Sequence, residues 1–146
     1  MRYQIVECEP KHVVSISSRL RPGDLAEVRA SGLSVRSALW RSYRGSHLRY
    51  AGIIDGVVGA IWGCGGTILA DIGIPWLLTS LDVEKIPMAF VREGRRHVQQ
   101  MLDVHPVLVN MVAKDYKQAI GFLRLLGFQI GSDEVMPGFL PFRMEK

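Results

Sequence analysis

The sequence predicts one mixed α/β (α+β) domain spanning residues 1–146. Three observations carry this prediction. The length suits a single core and is short for two enzyme domains. Hydrophobic residues make up 48% and charged residues 22%, which excludes wholesale disorder. The hydrophobic period also changes along the chain, helical first, strand-like from His47 to Leu78, then helical again after Asp82.

Each element has a local reason. Arg2 to Cys8 is rich in Tyr, Ile and Val and reads as a first strand. Pro10 suits a helix N-terminus, because its missing N–H would be unpaired there, and this helix is expected to run to about Leu20. Asp24 is placed as the cap of a short helix through Ala30, and Ser34 as the cap of the next, with Val35, Ala38, Leu39 and Tyr43 on one side. His47–Ile54 and Val57–Cys64 flank Asp55-Gly56, the dipeptide of a type I′ hairpin. Ile68–Leu78 is a third apolar run, in which Gly73 and Pro75 predict a bulge or split around Ile72-Gly73-Ile74-Pro75. A long helix after Asp82 presents Phe90, Val91, Val98, Met101 and Leu102 inward and ends before Pro106. Val107–Ala113 is a nearly continuous apolar strand. Asp115 is placed as the cap of a last helix through Leu126, with Gly127 at C′, followed by a strand pair at Phe128–Ile130 and Phe139–Met144. The resulting order is β-α-α-β-β-β-α-β-α-β-β.

Two cysteines, Cys8 and Cys64, make no disulfide framework. Met1–Pro10 carries two glutamates and no apolar stretch, unlike a signal peptide. Tyr50–Leu81, the most apolar region, is broken by seven glycines, a proline and two aspartates, which excludes a helical membrane span there. A soluble protein of a reducing compartment is expected. The formal charge of +4 is concentrated early: residues 1–50 hold nine basic and four acidic side chains, and no acid occurs from Val28 to Ile54.

Two patterns carry a resemblance. The element order is similar to that of the GNAT (N-acetyltransferase) fold, a mixed twisted central sheet flanked by helices. The last helix matches best, since Tyr116-Lys117-Gln118-Ala119 precedes Leu123 and Gly127-Phe128 with the family's spacing. Asp24–Gly32, Ile74–Thr79 and Ile120–Phe128 more narrowly resemble the small internal virion protein family of short-tailed bacteriophages, a GNAT-like group. That resemblance implies a particle component located in the virion and assembled in the host cytoplasm. Its implied partners are other virion proteins, with DNA contact through the basic early helices and a further copy of the chain as candidates.

Departures from the acyltransferase pattern shape the functional expectation. The tyrosine that serves the family as general acid falls on Leu123, which transfers no proton. The glycine-rich pyrophosphate loop is missing, leaving only Gly94, and Asp82 and Glu84 put carboxylates where phosphates would sit. Tyr116 and Asp71 are the remaining catalytic candidates. Trp76, Leu77, Leu78 and Thr79 are where the fold would meet an acyl group and pantetheine arm, and Arg92, Arg95 and Arg96 are candidates for its phosphates. Arg36, Trp40, Arg41 and Arg44 form a basic stripe for a partner or DNA. His12, His47, His97 and His105 lack ligand spacing, so no metal is expected, and His105 is read as offsetting a helix dipole. Cys64 is read as a small buried hydrophobe. The leading expectation is a catalytically degenerate virion structural protein without a cofactor. The alternative is an acyl-CoA-dependent N-acetyltransferase acting on a protein or small amine, with acetyl-CoA as the acyl donor.

Overall fold

The structure, a computed structural model, describes residues 2–67 and 69–146. Ile68, which opens the third apolar run, lies outside the described residues. The chain divides into two compact units, one of Met1–Gly65 with Trp76–Pro87 and one of Gly66–Pro75 with Met88–Lys146. Among the described residues a seven-stranded, mostly antiparallel sheet has the order β1-β2-β3-β4-β5-β7-β6, and five α-helices accompany it.

In the first unit, β1 (Tyr3–Glu7) pairs antiparallel with β2 (Ser46–Ile54), which pairs antiparallel with β3 (Val57–Gly65). The turn between β2 and β3 is the expected one: Asp55 and Gly56 both have positive φ, 49° and 83°. The β2–β3 register shifts between Ser46 and Leu48, and there Gly63 lies so close to the Leu48 carbonyl that a side chain has no room. Among the described residues three helices precede this hairpin, where their local signals place them although the condensed order counts two: α1 (Pro10–Ser17), α2 (Pro22–Ala30) and α3 (Val35–Arg44). Pro10 and Pro22 both open helices, where a missing N–H costs nothing. Helix α1 therefore ends at Ser17, short of Leu20. Asp24 is no cap, because it lies inside the first turn of α2 and is buried. Ser34 does cap α3, its hydroxyl accepting from the Ser37 N–H at 3.1 Å. Val13 and Ile16 of α1, Leu39 of α3, and Ala51, Val58 and Ile61 of the hairpin form the core of this unit with Cys8. Each of the Val, Ile and Leu side chains among them contributes about 1.5–3 kcal/mol by leaving water.

Strand β4 (Ile72–Thr79) contributes Trp76–Thr79 to the first unit and Ile72–Pro75 to the second. A 3₁₀ turn at Leu81–Lys85 follows, and α4 (Pro87–Val104) starts on a proline. In the second unit β5 (Val107–Ala113) pairs antiparallel with β7 (Phe139–Glu145), and β7 with the two-residue β6 (Gln129–Ile130). Helix α5 (Lys117–Leu126) starts two residues after Asp115, and its N-cap residue, Tyr116, makes no side-chain cap bond, so the expected Asp115 cap is corrected. Gly127 ends α5 with φ 102°, a left-handed position that suits glycine. Val98, Met101 and Leu102 of α4 are buried, as are Leu108 and Val112 of β5. Phe128 and Phe142 meet edge to face at 5.0 Å, and Phe90 stacks on Phe122 at 4.5 Å. No described helix is long and apolar enough to cross a membrane.

Candidate functional site

The expected irregularity in β4 is present as a parting of strands. Within the second unit β4 pairs parallel with β5 at Ile72↔Val107 and Gly73↔Leu108, and the described ladder stops there. Proline at 75 has no N–H to offer. The Pro75 carbonyl and the Met111 N–H, which a continued register would join, are bridged instead by one side chain. The amide nitrogen of Asn110 donates to the Pro75 carbonyl at 2.7 Å, and its oxygen accepts from the Met111 N–H at 2.8 Å. A carboxamide is thus interposed in one ladder bond, holding the strands apart while leaving neither backbone group unpaired. Asn110 escaped the sequence reading, although a lone polar residue inside Val107–Ala113 was the signal.

The other end of β4 is locked by a buried polar network in the first unit. Thr79 is fully buried. Its N–H and hydroxyl both donate to one Asp24 carboxylate oxygen, the former at 2.6 Å, and its hydroxyl accepts from Arg21 Nε at 2.6 Å. Arg21 also pairs with Glu84 at 3.7 Å. Asp82 pairs with Arg19 at 3.3 Å and Lys85 at 3.0 Å and accepts from the Ser80 hydroxyl at 2.7 Å. The Ser80 and Lys85 bonds hold the Asp82 carboxyl below its usual range. The two carboxylates expected to repel phosphate are therefore matched by cations. The Trp76 indole N–H donates to the Ser46 hydroxyl at 2.6 Å, and Trp76 and Leu78 pack against the first core. Leu77 is half-buried. Ile72 and Ile74, by contrast, are exposed on β4.

The α4 arginines are occupied. Arg95 Nε donates to the Leu125 carbonyl at 2.9 Å, and Arg96 pairs with Glu93 at 2.6 Å. Arg92 is exposed and also interacts within the protein. Gly94 is not the remnant of a phosphate loop. It lies mid-helix, where a β-carbon would come within 2.9 Å of Leu126 and 3.2 Å of Phe122, so it permits α4 and α5 to approach closely. Leu123 is half-buried on α5 and Tyr116 half-buried at its start, whereas Asp71 is exposed just before β4. The three are not joined by any hydrogen bond described for them. His105 is fully buried, with its Nδ1 2.7 Å from the Ala70 carbonyl. Cys64 is fully buried, as expected.

Helix α3 differs. Leu33, Arg36, Ser37, Trp40, Arg41 and Arg44 line an open groove of about 520 Å³. The three arginines are exposed, and no acidic side chain among the described residues pairs with them. The Arg44 guanidinium sits 5.6 Å from the centre of the Trp40 ring, and Tyr43 meets the same indole edge to face at 5.7 Å. All four residues of the expected basic stripe are gathered here.

The fold defines the class first: it is the GNAT N-acetyltransferase fold. The N-acetyltransferase from Staphylococcus aureus Mu50 superposes with a TM-score of 0.72 at 11% identity, covering 99% of each chain. The PaiA N-acetyltransferase of Thermoplasma acidophilum, solved in complex with coenzyme A, gives 0.68 at 10% identity over 100% of both chains. The ribosomal-protein-S18-alanine N-acetyltransferase of Escherichia coli gives 0.67 at 13% identity, covering 99% of this chain and 94% of that one. No protein-family model and no curated protein matches the sequence. The expectation of a bacteriophage virion structural protein is corrected by these neighbours, which are N-acetyltransferases.

Proposed function

We propose that the protein is an acyl-CoA-dependent N-acyltransferase acting on an amine of a protein or small molecule. The observation that carries this reading is end-to-end likeness of the backbone to N-acetyltransferases, including one solved with coenzyme A. The propped parting of β4 and β5 at Pro75 supports it, since a strand released from its neighbour has backbone groups to offer an extended ligand.

The residues present fit the two parts of acyl-CoA unequally. The acyl and pantetheine portion suits the β4 backbone. The phosphates meet no glycine-rich loop, and the α4 arginines are already engaged. Binding energy is therefore expected mostly from the pantetheine arm. Leucine at 123 removes the usual proton donor, so this chain's contribution to rate is positioning of the amine against the acyl carbon. When bound, the acyl-CoA supplies the activated thioester.

Calorimetric titration with acetyl-CoA, run beside thermal melting, tests the reading, because a ligand of the folded state must raise its stability. Acetyl-CoA should raise the melting temperature, and acetyl-pantetheine should bind within about tenfold of it, a difference of ~1.4 kcal/mol. Absence of any shift at millimolar acetyl-CoA would defeat the proposal. Release of free thiol on adding amines then sorts the acceptors.

A further inference from the structure

We propose that the α3 groove is a docking site for an acidic peptide segment of a partner protein. Charge complementarity is the first argument. Arg36, Arg41 and Arg44 point a concentrated positive field at a groove, and the sequence supplies no acid from Val28 to Ile54 to neutralise it. Arg49, which follows closely in the sequence, is engaged by contrast, lying over the Tyr43 ring at 4.3 Å and donating to the Tyr43 carbonyl. The groove cations are all arginine, whose planar fork matches a carboxylate with two parallel hydrogen bonds.

Spacing is the second argument. Along a helix the rise is ~1.5 Å per residue, so Arg36, Arg41 and Arg44 sit at steps of about 7.5 and 4.5 Å. An extended peptide places alternate side chains about 6.6 Å apart on one face, so two carboxylates four residues apart match the ~12 Å rise from Arg36 to Arg44, with Arg41 on the groove's flank. Leu33 and the half-buried Trp40 add an apolar floor between the charges, the composition of a small protein-binding hot spot.

The same features argue against a nucleic acid. A stacking platform needs an open aromatic face, and the Trp40 indole is flanked by Arg44 and Tyr43 and packs against the core. Three arginines within about 12 Å of helix reach few phosphates, fewer than the roughly 6–10 contacts that make backbone binding strong. The inference does not depend on the acyltransferase reading.

The test uses the full chain and fluorescein-labelled peptides rich in Asp and Glu, followed by anisotropy at low and moderate salt. Binding should saturate and weaken with salt. Arg41→Glu should lower affinity about tenfold or more, as expected for loss of a charge-assisted contact in a cluster. Lys117→Glu on α5, an equal change in net charge, should alter it less than about twofold. Melting curves verify folding, and Arg41→Gln replaces the reversal if Arg41→Glu fails to fold. Equal losses from the Arg41 and Lys117 variants would overturn the proposal, as would no saturation with acidic peptide. Tighter binding of a DNA oligonucleotide of matched charge would overturn it in favour of a nucleic-acid surface.

Discussion

Helices α3 and α4 each carry three arginines, and the protein treats them differently. On α4, Arg95 is spent on the Leu125 carbonyl and Arg96 on Glu93, and Arg92 interacts within the protein as well. On α3, Arg36 and Arg41 meet no acid among the described residues, and Arg44 has only the Trp40 ring. A basic cluster in a sequence is thus two different objects, a set of struts or a surface, and only the partners distinguish them. In this chain the cluster nearest the expected phosphate site is made of struts, and the cluster remote from it in sequence is the surface.

That contrast can be broken or sharpened by removing engaged groups in turn. The largest effect is expected where engagement is deepest. Asp24→Ala leaves the buried Thr79 N–H and hydroxyl without their acceptor and should cost about 3 kcal/mol in urea denaturation. Asp24→Asn, which keeps an acceptor oxygen, should cost clearly less, and equal costs would show that the hydrogen bonds are not what matters. Histidines extend the contrast to groups that titrate. Burial lowers the pKa of both His12 and His97, and His12 Nδ1 must be unprotonated to accept from the Glu9 N–H at 2.9 Å. The folded state disfavours the charged form, so the stability these residues contribute is present above about pH 6.5 and is lost as pH falls below it. A melting temperature that is flat from pH 8 to pH 5 would refute this.

Smaller effects follow. Asn110→Ala strands the Pro75 carbonyl and the Met111 N–H at a half-buried position, at a cost of about 1–2 kcal/mol. Arg95→Ala, which removes one partly exposed bond, should cost about 0.5–1 kcal/mol. Arg41→Ala should change stability by less than about 0.5 kcal/mol, because nothing in the fold depends on it. A stability loss for Arg41→Ala as large as that for Arg95→Ala would erase the distinction between strut and surface.

The sequence made the fold largely readable because its strongest signals are local. Asp55-Gly56 announced the hairpin, Gly127 the end of α5, and Pro75 the disturbance in β4, each through a backbone requirement of one or two residues. Caps were less readable: Ser34 behaved as expected, whereas Asp24 was drawn into the interior by Thr79, 55 residues away. The same limit applies to the site. The α3 arginines could be found by helical spacing, since their arrangement is local. The engagement of the α4 arginines, the role of Gly94 against α5 and the Asn110 bridge all depend on residues far along the chain. The functional expectation failed for a related reason, because short segments suggested a particle protein while the whole backbone follows N-acetyltransferases.

The Asn110 bridge has one more consequence. A gap between strands normally closes, or fills with water, when nothing occupies it. Here the backbone groups on either side are satisfied by a side chain of fixed length, so the parting is the resting state and its width is set by one carboxamide. Under the proposed acyltransferase reading, a ligand entering beside it would have no direct Pro75–Met111 ladder bond to break. Glutamine at position 110 would lengthen the spacer by one methylene, which makes the clearance of this opening adjustable by a single codon.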